Sequence, residues 1–226
     1  HSTDAGHTWA TPKEITGAVK PGNWSWYATG PGHGLQLPSG RLLIACDHVV
    51  LKERSRQDPH HSHVIYSDDH GATWHLGGVL EIGTNECTAV ALPDGRLCLN
   101  ARNRAPLPDG GNYRAVAYSA DQGESFTPVT RDSALPEPIC QASLLAVAGP
   151  DVAPVILFSN PADRTGRRQM TLRISTDECR TWPYHRVLHA GHAAYSDLVA
   201  AGDGTVLCLF ETGEATPYEA LRLARF

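Results

Sequence analysis

Short apolar runs alternate with turn residues along the whole chain. The pattern is clearest in Leu37–Ile44, Leu92–Leu99 and Ala201–Cys208, where a glycine-containing turn leads into an apolar run of strand length. Gly149–Phe158 is a looser fourth copy. Turn residues that bound apolar runs of this kind are typical of short β-strands. Because no long stretch shows helical periodicity, the pattern predicts an all-β protein.

A second motif recurs between these segments. Its four copies begin at Ser2, Ser67, Ser119 and Ser175 and follow the pattern S-x-D-x-G-x-T-W. The third copy ends in Ser and Phe, and the fourth has Cys179 in place of the glycine. Ser and Asp side chains can bond the backbone N–H groups of a turn, and glycine allows the positive φ that a tight turn needs. We therefore interpret these boxes as structural turns and not as catalytic sites.

The spacing of the boxes predicts a β-propeller. They recur every 52 to 65 residues, which is the size of one propeller blade. Each repeat has room for four short antiparallel strands, and strands grouped in this way make radial blades. The chain begins inside a box and contains about three and a half further repeats. We expect residues 1–226 to be a single propeller domain whose N-terminal blades are missing, the N-terminus at His1 being processed or cut.

Composition and charge exclude two classes of partner. Hydrophobic residues make up 41% and charged residues 19%, which is an ordinary globular mixture. The net charge of -5 argues against binding to a nucleic-acid phosphate backbone, which needs clustered positive charge. Val152–Phe158 is among the longest apolar runs and has the length of a strand, far below the roughly 18 residues of a membrane helix. We expect no nucleic-acid partner and no membrane span.

The cysteines and histidines predict no metal site. The six cysteines include no CxxC pair, so a zinc ribbon and a thioredoxin motif are excluded, and we expect buried free thiols. His60, His61 and His63 lie in the charged segment 52–63, which we interpret as a solvated loop or strand edge. No cysteine or carboxylate ligand pattern accompanies them.

Polar residues gather where the inner strands begin and where the next strands end. In a propeller these positions converge on the central axis. The strand starts are 24–34, 84–87, 138–143 and 193–198, and the far ends include Asp47, His48, 100–103, Ser159, Asn160, Phe210 and Glu211. Polar residues on strands that should be apolar indicate a functional site around the axis.

These residues resemble the sialidase (neuraminidase) family of exo-glycosidases. The resemblance rests on the boxes and on an ordered set of motifs covering nearly all 226 residues: WYATGPGHGLQL (26–37), NEC (85–87), LNARN (99–103), EPICQAS (137–143), TLRIS (171–175), AYSDL (194–198) and LFE (209–211). It implies a six-bladed β-propeller of four-stranded antiparallel blades, of which this chain supplies about the last four. It also implies retaining hydrolysis of terminal sialic acid through a tyrosine-linked intermediate. Sialylated glycans or glycoconjugates and the upstream propeller blades are the expected partners, with no cofactor or metal.

The resemblance assigns a role to each candidate residue. Tyr195 corresponds to the catalytic nucleophile, and Glu86 corresponds to its general base. Arg102 and Arg173 correspond to two of three arginines that clamp the sugar carboxylate. Glu211 corresponds to the glutamate that steadies the first of those arginines. The remaining substrate-binding positions are Gln141, Asp47 and His48. The third arginine and the acid/base aspartate belong to early blades, which precede His1.

The proposed chemistry suits these residue types. Arginine offers a planar fork of donors that binds a carboxylate bidentately and stays charged. A tyrosine hydroxyl begins neutral, so it avoids the repulsion that a carboxylate nucleophile would meet on a sugar carrying a carboxylate. Its ordinary pKa is about 10, so a base must take the proton.

Other functions remain open at this point. One is a non-catalytic propeller that binds sialic acid, and another is a structural Asp-box propeller that serves protein partners. The structural alternative predicts that Glu86, Tyr195, Arg102 and Arg173 do not converge. A trans-sialidase would differ only in how it handles the acceptor. The motifs resemble those of bacterial enzymes, which are often exported, and of mammalian cytosolic ones, and we expect a secreted or periplasmic bacterial protein.

Overall fold

The chain folds almost entirely into antiparallel strands. The computed structural model describes residues 1–51, 59–105, 112–149 and 152–226. Within these ranges the single-turn α1 (Thr16–Val19) is the only α-helix. The all-β prediction is therefore confirmed. None of the described helical residues forms a segment long and apolar enough to cross a membrane.

The strands form three sheets that follow one another along the chain. The first sheet has the order β1-β3-β4-β5, with β2 paired to β3. The second has the order β6-β7-β8-β9, and the third has the order β10-β11-β12-β13-β14-β15. The strands of the first sheet are β1 (Trp24–Thr29), β2 (Leu35–Gln36), β3 (Leu42–Val50), β4 (His60–Ser67) and β5 (His75–Val79). Those of the second are β6 (Thr84–Ala91), β7 (Leu97–Asn103), β8 (Tyr113–Ser119) and β9 (Thr130–Pro136). Those of the third are β10 (Ser143–Gly149), β11 (Val152–Pro161), β12 (Arg168–Ser175), β13 (Tyr184–Ala200), β14 (Val206–Gly213) and β15 (Ala220–Arg225).

The third sheet holds more than one repeat because β13 serves two of them. Its first part pairs with β12, from Tyr184 opposite Ile174 to His192 opposite Arg168. Its second part pairs with β14, from His192 to Ala200. One continuous strand is therefore the outer strand of one repeat and the inner strand of the next.

Each box forms the same hydrogen-bonded turn. Asp69 accepts bonds from the Thr73 backbone N–H at 2.7 Å and from the Thr73 hydroxyl at 2.6 Å. The Ser67 hydroxyl oxygen accepts from the Gly71 N–H at 2.8 Å. The Thr73 hydrogen bonds lower the pKa of Asp69 to about 2. The other three boxes repeat these bonds around Asp4, Asp121 and Asp177.

The apolar cores lie mainly between successive sheets. Leu43 of the first sheet belongs to one core with Leu99 of the second. Val116 of the second sheet belongs to another with Phe158 of the third. The inner strand β6 contacts the inner strand β10, and β10 contacts β13, so these inner strands lie side by side around a common centre. This arrangement brings the polar strand starts together.

Two local predictions can be compared with this fold. All six cysteines are free and buried, as predicted. The prediction of a solvated loop at His60, His61 and His63 is wrong, because these residues lie on β4 and His63 is fully buried. The rest of that segment, 52–58, lies outside the described residues.

Candidate active site

Tyr195 and Glu86 meet where two inner strands begin. The Tyr195 hydroxyl donates a hydrogen bond to Glu86 Oε1, although the two residues are 109 positions apart in the chain. Each lies where its strand departs from regular pairing, since the register of β6 shifts between 84 and 87 and that of β13 shifts between 193 and 196. Bulges of this kind re-aim a side chain relative to the sheet. The two irregularities therefore direct the phenol and the carboxylate toward each other.

Arg102 joins this pair from the neighbouring strand β7. Its Nη1 donates to Glu86 Oε2 at 2.7 Å and lies 3.5 Å from Tyr195 Oη. The Arg102 side chain is only 11% exposed. A phenol, a carboxylate and a guanidinium therefore share one partly buried point.

The electrostatics keep the Tyr195 phenol protonated in the free protein. Burial raises the pKa of Tyr195 well above its usual value, and the hydrogen bond to Glu86 raises it further, while Arg102 lowers it. Burial is the largest single influence and opposes the charge on Arg102, but the hydrogen bond to Glu86 and the charges of Glu86, Tyr195 and Cys140 together raise the pKa of Arg102. Glu86 is thus the nearest base for a proton that the phenol does not release by itself.

Glu211 and Gln141 fix the backbone around Tyr195. Glu211 Oε2 accepts a hydrogen bond from the Tyr195 N–H at 3.0 Å. Gln141 accepts from the Ser196 N–H and donates to the Ser196 carbonyl oxygen, both at 2.9 Å. The sequence predicted that Glu211 steadies an arginine, whereas the structure places its carboxylate on the Tyr195 backbone.

A small cavity opens beside Tyr195. Its volume is about 160 Å³, and its walls include Pro31, Gln141, Tyr195 and Glu211. Ligand pockets usually measure about 300–1,000 Å³, so this cavity accounts for only part of a sugar site.

Asp47 lies next to the central group, and His48 does not. Asp47 is 2% exposed, and its Oδ2 accepts from Asn85 Nδ2 at 2.8 Å and from Trp26 Nε1 at 3.2 Å. Burial and then the Glu86 charge raise the pKa of Asp47 to about 6. The neighbouring His48 points to the other face of β3, as alternation along a strand requires. It stacks on Trp24 with ring centres 3.3 Å apart and is 1% exposed, so it belongs to the packing between strands.

The structure does not bring Arg173 to Tyr195. Arg173 lies on β12 opposite Phe158, and its Nη1 donates to Asn160 Oδ1 at 3.2 Å. It follows the strand start at Arg168 by five residues, which at about 3.3 Å per residue places it roughly 16 Å along the strand. The motif identified the correct strand, but Arg173 lies too far from the end that faces the axis.

Arg167, which the sequence analysis missed, occupies the axial position. It immediately precedes β12, and its Cζ lies 5.6 Å from the centre of the Tyr195 ring. Nη1 donates to Tyr218 Oη at 2.8 Å, and Nη2 donates to the Ile139 carbonyl oxygen at 3.1 Å. Tracking strand direction would have found it, because the turn between β11 and β12 lies at the same end as the inner-strand starts.

Arg167 and Arg102 also act on one common neighbour. Burial raises the pKa of the Cys140 thiol to about 12, and the charges that oppose this shift most strongly are those of Arg167 and Arg102. The two guanidinium groups therefore both lie near Cys140 and near Tyr195. Glu86 offsets one of the two positive charges, so the site can accept one further negative charge.

Comparison with known proteins is consistent with this geometry. Residues 1–208 match the model of the BNR repeat-like domain. The chain belongs to the BNR repeat-like domain family. Similar members include the sialidase of Micromonospora viridifaciens, which is 39% identical over 99% of this chain and 34% of that protein. Human sialidase-4 is 28% identical over all of this chain and 68% of that protein.

A solved sialidase structure has a similar fold. The Hadza microbial sialidase Hz136 superposes with a TM-score of 0.83 and 33% identity, covering all of this chain and 43% of that protein. The chain thus spans between about a third and two thirds of the length of these relatives. The resemblance to sialidases and the propeller-type fold predicted from the sequence are both confirmed.

Proposed function

We propose that the protein containing this chain is a retaining exo-α-sialidase that hydrolyses terminal sialic acid from glycoconjugates. The observation that carries the proposal is the hydrogen bond from the Tyr195 phenol to Glu86, with Arg102 beside both. Sialidases use a tyrosine nucleophile where most glycosidases use a carboxylate. The names of the relatives support the same class.

Substrate binding in this proposal depends on Arg102 and Arg167. A sialic acid carboxylate placed between them would accept charge-assisted hydrogen bonds from planar donors. Glu86 already offsets one of the two positive charges, so the bound carboxylate would neutralise the other. Gln141 and Glu211 would hold the strand of Tyr195 in place as the sugar enters.

The first chemical step forms a covalent bond to the enzyme. Tyr195 Oη attacks the anomeric carbon while Glu86 takes the phenolic proton. The bond from that carbon to the leaving glycan oxygen breaks, and a general acid protonates the oxygen. The positive charge that develops on the sugar is stabilised by the substrate carboxylate and by Glu86 before it is protonated.

The second step releases the sugar. Water attacks the anomeric carbon from the face that the glycan left and gives one proton back to the group that protonated the glycan oxygen. The bond to Tyr195 breaks, and Glu86 returns its proton to the phenolate. Two inversions give net retention of configuration. Tyrosine is suited to both steps because it is neutral when the anionic sugar binds and is a competent leaving group afterwards.

The remaining parts of the site are assigned to the rest of the protein. We place the acid/base aspartate and a third arginine on upstream blades, which would complete a six-bladed propeller around the axis. We also place the protein in the periplasm or outside the cell, because its motifs resemble those of bacterial enzymes that are often exported.

Activity of matched tyrosine variants tests the proposal. The complete protein is assayed on a fluorogenic sialoside, and product configuration is followed by NMR. Tyr195→Phe should lower kcat by at least about 100-fold, because phenylalanine fills the same space without a nucleophile. Tyr184→Phe, at an exposed position, is the control and should match the wild type.

Three results would contradict the proposal. One is an inverted product, and another is a Tyr195→Phe variant with wild-type turnover. Tight sialoside binding without turnover, unaffected by Tyr195→Phe, would identify a binding propeller instead.

A further inference from the structure

Two contacts at equivalent positions differ between the sheet interfaces. Where the first and second sheets meet, Gly123 of a box faces Leu43 of a turn-and-strand segment. A Cβ added to Gly123 would lie 2.7 Å from Leu43 Cδ1, so only glycine fits opposite this leucine. If both equivalent positions differ at the next interface, the two new residues indicate a different contact between the sheets.

Where the second and third sheets meet, the same two positions are both cysteine. Alignment of Leu92–Leu99 with Leu37–Ile44 places Cys98 where the first interface has Leu43. Alignment of the boxes places Cys179 where it has Gly123. Cys98 and Cys179 belong to one apolar cluster and are 1% and 5% exposed, and the Cys179 side chain is the main cause that raises the pKa of Cys98.

The conformation of the box does not favour a cysteine. Cys179 has φ 65°, in the left-handed region, where the other three boxes have Gly6, Gly71 and Gly123 at φ 86°, 86° and 93°. A residue with a Cβ is disfavoured in this region. The turn conformation thus favours glycine at this position. We therefore attribute the cysteine to its contact with the second sheet.

Neighbouring contacts hold the two thiols in register. Arg96 Nη2 lies 2.9 Å from Glu178 Oε2, an ion pair between residues within two positions of the two cysteines. Tyr118 is the register partner of Cys98, and its hydroxyl donates to the Cys179 carbonyl oxygen at 3.5 Å. The second and third sheets are therefore joined by two polar contacts close to the cysteines.

A second cysteine pair at the other interface provides a contrast. Cys87 lies near Cys46, but its Sγ donates to the Cys46 carbonyl oxygen at 3.3 Å. The Cys46 thiol instead donates to the Ile44 carbonyl oxygen at 3.5 Å. These thiols are directed at backbone oxygens, whereas the Cys179 side chain acts directly on Cys98 as the main cause of its raised pKa.

We propose that Cys98 and Cys179 form a disulfide that joins the second and third sheets when the protein folds in an oxidising environment. With oxidised glutathione as oxidant, the thiolate of one cysteine forms a mixed disulfide and releases one glutathione thiol. The second cysteine then attacks that disulfide and releases another. The two protein thiols lose two electrons and two protons, which the two glutathione thiols carry.

The timing of the reaction follows from the same contacts. The neighbouring Cys179 side chain and then burial raise the pKa of Cys98 well above its usual value. Because the thiolate is the reacting species, exchange in the closed interface is slow. The bond therefore forms as the sheets come together during folding.

Thiol mapping of the complete protein tests the proposal. The protein is refolded with oxidised and reduced glutathione, blocked with N-ethylmaleimide in denaturant, and digested for mass spectrometry. Among the six cysteines of this chain, Cys98 and Cys179 should appear as one cross-linked peptide, and the other four should be alkylated. Cys46→Ser, the control, should leave the cross-link intact. Cys179→Gly, which restores the residue of the other boxes, should fold and leave Cys98 alkylated.

Other outcomes would overturn it. Alkylation of Cys98 and Cys179 in natively folded, oxidised protein would show that the pair only fills space, as Leu43 and Gly123 do. A cross-link from Cys46 to Cys87 in its place would show that proximity alone decides pairing. The readout does not require catalysis, so it stands apart from the proposed sialidase activity.

Discussion

The Tyr195 hydroxyl donates to the Glu86 carboxylate, and both residues lie at irregularities in their strands. Regular strands would direct these side chains along the normal of their own sheets. The two shifts in register direct them instead into the space between sheets, where Arg102 joins them. The contact between Tyr195 and Glu86 is therefore a property of the sheet arrangement and not of either strand alone.

Replacing Glu86 tests its role as the base. Burial first and then Glu86 raise the pKa of Tyr195, so Glu86→Gln should lower that pKa while removing the proton acceptor. We expect kcat to fall about 100-fold or more, and ultraviolet titration should show a tyrosine that ionises at lower pH than in the wild type. Glu214→Gln, at an exposed position, is the control. Unchanged turnover in Glu86→Gln would remove Glu86 from the mechanism.

Arg167 and Arg173 should respond differently to substitution. Arg167 lies beside the Tyr195 ring, so Arg167→Ala should raise KM by about 10- to 100-fold, the loss of a charge-assisted bond. Arg173 bonds Asn160 away from the axis, so Arg173→Ala should lower the melting temperature and leave KM near the wild-type value. Steady-state kinetics and thermal unfolding of both variants decide this. A KM effect confined to Arg173→Ala would restore the sequence-based assignment.

The sequence predicted much of this site because the repeats mark equivalent positions. Counting from the boxes located the inner-strand starts, and Glu86 and Tyr195 both lie there. Arg102 was found at the end of a second strand by the same reasoning. The contact among these three then follows from the closing of the sheets around a common centre.

The errors arose where the position in a repeat determines neither which end of a strand faces the axis nor which face of the strand carries a side chain. Arg173 and Arg167 belong to the same strand region, but only the turn before β12 faces the axis. His48 follows Asp47 directly, so alternation turns it to the opposite face, where Trp24 stacks on it. His63 was predicted to lie in a solvated segment because its neighbours are charged, yet the strand that carries it is buried between others.

Asp47 should destabilise the protein as the pH rises. Burial and then the Glu86 charge raise its pKa from 3.8 to about 6. Between these values the native state keeps a proton that the unfolded chain has released, so the free energy of unfolding falls with rising pH. Asp47→Asn stays neutral, so its stability relative to wild type should improve by about 2 kcal/mol between pH 4 and pH 7. Urea unfolding at both pH values measures this, and a difference that is independent of pH would contradict it.

The buried histidines should have the opposite pH dependence. Burial is the main cause that lowers the pKa of His48 to about 2 and that of His63 to about 3. Below about pH 6.5 the unfolded chain takes up protons that these native histidines exclude, so stability falls as the pH falls. At pH 5 each histidine should cost about 2 kcal/mol relative to pH 7.

Substitution of one histidine separates this effect from general acid sensitivity. His63→Gln should lose less stability than the wild type between pH 7 and pH 5, by about 2 kcal/mol. His7→Gln, at an exposed position, should follow the wild type. Equal pH slopes for wild type and His63→Gln in urea unfolding would show that His63 does not remain neutral in the native state.

Covalent trapping tests the central claim most directly. The complete protein is incubated with a fluorinated sialosyl fluoride, whose fluorine beside the anomeric carbon slows release of the enzyme-bound sugar, and is then digested for mass spectrometry. The account predicts one added sugar on the peptide that carries Tyr195, and none in Tyr195→Phe. A sugar attached to another residue, or a hydrolysed probe with no covalent species at any time, would contradict it.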